Sequence, residues 1–204
     1  MKTYEINNQS ELEQFKDEYE YKVNGNLDVK CSLDIQKRLY VEGDLYIKAG
    51  ESIKAGESIK AGGYIKAGEY IEAGGYIEAG WYIEAGESIE AGESIKAGGY
   101  IKAGGYIEAG GYIEAGWCYG IVAGLQITCK DKLTFGLKCF AGICAWRKIS
   151  DEEKTITCGK FEGGVIEYGI LKETGLEERK VKISCEGKEV EISRESAKAL
   201  KLIN

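Results

Sequence analysis

The sequence predicts a mainly β chain: a triangular parallel β-helix with three hexads, or 18 residues, per coil, and small α/β caps at both ends. Three observations carry that reading. Isoleucine recurs every six residues at 47, 53, 59, 65, 71, 77, 83, 89, 95, 101, 107 and 113. Alanine follows each of these by two positions and glycine by three. The outward charges fall into register only when residues eighteen apart are stacked.

The twelve hexads run from Tyr46 to Trp117. Each reads Tyr or Ser, Ile, Lys or Glu, Ala, Gly, and then Glu, Gly or Trp, and Val41 extends the phase one step earlier. Internal repetition at a fixed period decides the fold before any local propensity does. Residues two apart on a strand share a face, so Ile and Ala point inward and the charge between them points out. The glycines are assigned to corners, on the expectation that they turn the chain in conformations closed to other residues. A strand this short buries its apolar face only by stacking on copies of itself.

Coil size follows from charge. With three hexads per coil, one column reads Glu42, Lys60, Glu78, Lys96, Glu114, alternating in sign at every step. Stacked strands lie about 4.8 Å apart, where opposite charges attract and like charges repel. The columns Lys48, Lys66, Glu84, Lys102 and Lys54, Glu72, Glu90, Glu108 alternate less well, and a two-hexad coil would mix all three. A longer repeat agrees: 46–81 and 82–117 differ only at Lys48/Glu84, Lys54/Glu90 and Glu69/Gly105, a unit of two triangular coils. Uninterrupted six-residue steps favour the left-handed form.

After Trp117 the pattern slips by two residues and resumes in degenerate form at Ile121, Ile127, Leu133 and Cys139. Cys118, Tyr119 and Gly120 read as a bulge, with Cys129 in an alanine slot and Cys139 in an isoleucine slot as small core hydrophobes. The chain divides into an N-terminal cap (1–45), a rod (46–149, regular to 117) and a β-rich C-terminal module (150–204). In the first, Ser10 and Glu13 have capping-box spacing, predicting a helix over 11–19, with strands over 27–35. In the last, segments at 154–158, 165–171, 180–185 and 189–192 read as strands. A final helix over 194–202 follows, with Ser193 as its N-cap. This module reads as a cap, a homodimer contact or the binding head.

Composition narrows the function. There are 29 glycines without a proline, which points to an ordered repeat rather than a linker. There is no histidine, which excludes histidine-based triads and His-containing zinc sites. Net charge is −7, with 6 basic and 10 acidic residues in 1–45, 6 and 11 in 46–117, and 15 and 13 in 118–204. An acidic rod argues against nucleic acid along its length and for a protein partner with a basic surface. Seven cysteines, no apolar leader and no membrane-length apolar run read as a cytoplasmic protein with reduced thiols. No cofactor, metal site or membrane contact is expected. Carboxylate pairs such as Glu84 and Glu87 recur in every hexad and none is singled out, so no catalytic residue is assigned and the chain is read as a non-enzyme.

Two candidate binding features stand out. Trp81 and Trp117 occupy equivalent corner positions two coils apart, with Gly99 between them, beside an outward column of Tyr46, Tyr64, Tyr82 and Tyr100. Trp and Tyr dominate binding hot spots. Glu51, Glu69 and Glu87 form an acidic corner column whose mutual repulsion would be relieved by a basic partner.

The hexads resemble those of hexapeptide-repeat acyltransferases, which implies a left-handed β-helix. That family places its small inward residue two before the aliphatic one, and its enzymes use a histidine absent here, so the resemblance does not extend to activity. The stretch Tyr40–Gly50 resembles bactofilins, implying a polymer-forming alternative. The glycine-bounded array with a Cys-rich C-terminal segment is similar to uncharacterised phage and mobile-element proteins. This implies an inhibitor of a host defence component, such as an anti-CRISPR, acting in the bacterial cytoplasm. A nucleotide-sequestering sponge or an acyltransferase relative is the remaining alternative.

Overall fold

The computed structural model describes residues 1–175, 180–185 and 188–193. Eighteen-residue coils stack in parallel into a β-solenoid of about 9 turns. Within the array, consecutive hexads supply the first, second and third faces of each coil in turn. The first face stacks Leu45–Ile47, Ile65–Ala67, Ile83–Ala85, Ile101–Ala103 and Ile121–Ala123. The second stacks Ile53–Ala55, Ile71–Ala73, Ile89–Ala91 and Ile107–Ala109, and the third Ile59–Ala61, Ile77–Ala79, Ile95–Ala97 and Ile113–Ala115. Between Ile53 and Ala115 isoleucine sits on isoleucine eighteen residues away, as in Ile77↔Ile95, and alanine on alanine. The isoleucines of these strands are fully buried, and burying each side chain contributes about 1.5–3 kcal/mol.

The stack runs through both expected domain boundaries. Before the array, Asn26–Val29, Leu33–Ile35 and Arg38–Val41 already form a coil, with Leu in the isoleucine slot and Val or Ile in the alanine slot. Beyond it, Lys132–Ala141 turns a corner within one strand: Leu133 stacks on Ile113 of the third face and Cys139 on Ile121 of the first. Lys160–Tyr168 stacks on that strand in turn, while Thr155–Cys158 and Ile170–Glu173 extend the second face. Lys180–Cys185 and Lys188–Ser193 pair antiparallel. The helix expected over 194–202 lies outside the described residues.

Four expectations need correction. First, the array begins one hexad late. Leu45, not Ile47, pairs with Ile65, and Leu33 pairs with Ile53, so the step from Leu45 to Ile53 is eight residues. The surplus pair forms a turn at Ala49–Gly50, where Gly50 has φ 81°. Ile47 therefore fills an alanine slot, and Tyr46 and Tyr40 take the places assigned to Lys48 and Glu42 in the outward columns. The alternating column survives as Lys60, Glu78, Lys96, Glu114, with ion pairs of 3.0 Å at Lys60–Glu78 and 3.2 Å at Lys96–Glu114.

Second, the array glycines are not there for backbone freedom. Among the described residues only Gly25, Gly50, Gly142, Gly163 and Gly169 have positive φ, and none lies within 53–116. A Cβ on Gly92 would instead collide with the carbonyl oxygen of Gly74, and Gly74, Gly80, Gly86, Gly98, Gly104 and Gly110 repeat that approach to the corner below. Close passage of one coil over the next excludes any side chain there.

Third, the N-terminal helix is a short 3-10 turn, Gln9–Phe15, entered through Asn8. Glu13 does not reach back to cap it, because its carboxylate accepts from Tyr21 at 2.6 Å and Lys16 at 2.8 Å. Asp17 ends the segment by accepting from the backbone N–H groups of Tyr19 and Glu20. The Gln9 side chain donates to Asp34 O at 2.7 Å and accepts from Asp34 N at 2.9 Å. One amide thus plugs the lower edge of the second face, where an open strand would invite pairing.

Fourth, the two-residue slip is a turn at Trp117–Cys118, across which Ile101 pairs with Ile121, twenty residues on. This moves Trp117 out of its expected column.

The glycine argument makes a direct prediction. Gly92→Ala should destabilise the protein by about 1–3 kcal/mol through forced coil separation. Gly50→Asn, at an open turn that Asn tolerates, should shift stability far less. Chemical denaturation of the two variants checks this ordering.

Candidate functional site

The sequence-predicted residues fall at two different vertices of the triangle. Trp81, Tyr64, Tyr82 and Tyr100 lie at the corner between the third and first faces. Glu51, Glu69 and Glu87 lie at the corner between the first and second, where Glu69 N donates to Glu51 O at 3.0 Å and Glu87 N to Glu69 O at 2.9 Å.

The tyrosines form a continuous stack. Ring centroids are 4.9 Å apart for Tyr64 and Tyr82 and 4.8 Å for Tyr82 and Tyr100, with planes inclined by 6° and 5°. This spacing is the strand spacing, so the backbone ladder itself sets the rings in contact, worth about 0.5–1.5 kcal/mol per pair beyond burial. Tyr46 is not a member: Asp44 lies beneath Tyr64, accepting its backbone N–H at 3.1 Å. The Tyr100 hydroxyl donates to Glu84 Oε2 at 3.2 Å, and Lys102 and Lys66 approach Glu84 Oε1 at 3.4 and 3.7 Å. Burial above all, and then the Glu84 charge, pushes the Tyr100 phenol up to about 12.

Trp81 is 69% exposed beside this stack, and Trp117 is 81% exposed. They do not form one edge. Gly116 N, rather than Trp117 N, donates to Gly99 O at 3.0 Å, and Gly120 O accepts from Ile101 N at 3.2 Å, in the position of the tyrosine carbonyls below. Tyr119 therefore takes the corner place expected for Trp117. Trp81, Tyr82, Gly99, Tyr100 and Tyr119 line an open apolar hollow of about 410 Å³. The two extra residues before Ile121 were the sequence signal for this exchange.

The larger feature is the second face. Its outward column is Lys54, Glu72, Glu90, Glu108. The corner before it carries Glu51, Glu69 and Glu87, and the corner after it Glu57 and Glu93. Eight carboxylates thus stand on this face and its corners against two lysines, Lys54, which pairs with Glu72 at 2.6 Å, and Lys48, which shares the corner of Glu51. Glu57, Glu72, Glu90, Glu93 and Glu108 were missed as site residues. The uneven sign of their column in the sequence was the available signal.

Serines bear on the same corners. Where Tyr follows Gly in one coil, Ser follows Glu directly below: Ser58 beneath Tyr76, Ser88 beneath Tyr106, Ser94 beneath Tyr112. Each Ser Oγ accepts the Tyr backbone N–H, at 3.1, 3.1 and 3.3 Å. Added Cβ atoms on Gly75, Gly105 and Gly111 would press on those same oxygens, while Glu69 above Ser52 shows that the place also admits a side chain.

Cys129 and Cys139 occupy the expected alanine and isoleucine slots, paired with Ala109 and Ile121, and are buried. Burial pushes both thiols up to about 12. Among the described residues no group of three His, Cys, Asp or Glu side chains is placed to hold a metal, and no helix is long and apolar enough to cross a membrane. The geometry defines a parallel β-solenoid with one acidic face and one aromatic vertex. No family model, curated protein or solved structure matches the chain.

Two measurements test these environments. Glu84→Gln should lower the Tyr100 phenol pKa from about 12 yet leave it above the ordinary value of 10.0, because burial is the larger cause. Ultraviolet absorbance titration, with Tyr100→Phe as the assignment control, reads this. With a thiol reagent near neutral pH, exposed Cys118 should react before Cys129, Cys139 or Cys158, which should become reactive only on unfolding. Mass spectrometry of partially modified protein checks the order.

Proposed function

We propose that the protein is a non-catalytic binding protein whose acidic second face docks a basic surface of a partner protein. The observation that carries this is the crowding of eight carboxylates against Lys48 and Lys54 on one face and its corners. The third-face column, by contrast, pairs its charges in alternation. Glu72, Glu90 and Glu108 succeed one another at the strand spacing with no cation between them, an arrangement that costs stability and that a cationic partner relieves. Lack of histidine and the sameness of the carboxylates from coil to coil support a binding rather than a catalytic role. The aromatic vertex is a second contact for the same or another partner. Resemblance of the array to phage and mobile-element proteins supports taking the partner as a host defence component. The Gln9 plug on the lower edge of the second face argues against end-to-end polymerisation.

The test is capture from bacterial lysate on immobilised protein, followed by a salt gradient. A basic protein should be retained at low ionic strength and released as the Debye length falls below about 10 Å. The variant E72K/E90K/E108K should lose at least roughly tenfold in affinity, while W81A/Y119A should lose less. Retention unchanged in the charge-reversed variant would exclude the second face as the docking surface.

A further inference from the structure

The acidic face carries two aromatic slots at its corners, and we propose that they are receptors for arginine side chains of the partner. This rests on the acidic-face reading and specifies the chemistry it recognises. In the column Tyr70, Ser88, Tyr106, consecutive members are eighteen residues apart, and the central ring is replaced by a serine that is only 5% exposed. The neighbouring Tyr64, Tyr82, Tyr100 column shows the same corner geometry with the central ring present, at 4.9 and 4.8 Å from its neighbours. Leaving out that ring opens a gap of about 9.6 Å between Tyr70 and Tyr106, two strand spacings. The space is real: about 300 Å³, walled by the two tyrosines, floored by Ser88 and flanked by Glu72 and Glu90. Across the same face, Tyr76, Ser94 and Tyr112 build a second slot of about 290 Å³, flanked by Glu78, Glu93 and Lys96, whose ammonium is paired with Glu114 at 3.2 Å.

A planar group inserted midway lies about 4.8 Å from each ring, inside the range of stacking and cation–π attraction. The carboxylates require that it be cationic. A guanidinium is both, and its in-plane N–H groups reach Glu72 and Glu90 while its faces stay on the rings. An ammonium is compact and strongly hydrated, and gains little from two flat walls. The chain already fills one such vacancy with this group. Ser58 lies beneath Tyr76 and above Arg38 in register, and the Arg38 guanidinium carbon stands 6.0 Å from the Tyr76 ring centroid. The Tyr106 hydroxyl donates to Glu90 Oε2 at 3.2 Å, which holds that wall in place before any partner arrives.

The experiment compares an arginine-only oligopeptide with a lysine-only oligopeptide of equal length by isothermal titration calorimetry. The intact protein should prefer the arginine peptide by roughly tenfold. In S88Y/S94Y, which completes both tyrosine ladders, that preference should fall to within about twofold, with lysine-peptide affinity unchanged. Tyr70→Leu removes one exposed wall without touching Ser88 and should also erode the preference, which keeps the test decisive if the double variant does not fold. Equal affinity for the two peptides overturns the arginine slots and leaves the acidic-face reading standing. No binding of either peptide overturns both. A preference that survives S88Y/S94Y or Tyr70→Leu places arginine recognition elsewhere and overturns the slots.

Discussion

The whole molecule depends on one close approach: the glycine after each array alanine, from Gly56 to Gly116, passes over a carbonyl oxygen of the corner below, too near for any Cβ. That contact keeps successive coils at the strand spacing and in register around the corners as well as along the faces. Across the regular array isoleucine then stacks on isoleucine, and alanine on alanine two positions on, with larger residues entering the alanine slot only in the end coils. Backbone hydrogen bonds between coils, such as Gly92 N to Ala73 O at 2.9 Å, run through the corners without interruption.

The same regularity makes the surface programmable. With the backbone repeating, an outward residue acquires its meaning from what lies eighteen residues above and below it. Lys and Glu in alternation give a paired, quiet third face; Glu upon Glu gives a charged second face. Tyr upon Tyr gives a closed stack, whereas Tyr, Ser, Tyr gives an open slot. Ser58, Ser88 and Ser94 each do two tasks, accepting the backbone N–H of the tyrosine above and leaving its ring without an aromatic neighbour below. The distinct surface features of such a scaffold therefore arise from departures from the repeat.

The places where the repeat breaks are also where most sequence-level placements moved. Both slips, at Ala49–Gly50 and at Trp117–Cys118, add two residues at a corner and leave the inward face intact. A strand cannot absorb an odd surplus without turning its apolar residues outward, but a corner absorbs two as a turn. Tyr46 left its column for this reason, and Tyr119 replaced Trp117 at the aromatic vertex. The mixed candidate site likewise resolved into two vertices, because neighbouring hexads in sequence belong to different faces in space.

By itself the sequence determined the solenoid, the eighteen-residue coil, the inward isoleucine and alanine columns and the slots taken by Cys129 and Cys139. Those follow from a period of six and an inside–outside alternation, both local properties of the chain. The true start of the array, the steric rather than conformational role of the glycines, and the grouping of Glu57, Glu72, Glu90, Glu93 and Glu108 with the acidic corner emerge only in three dimensions. Each of these is a relation between coils. It depends on how many residues every intervening corner consumes, and that number is set by packing against the coil below.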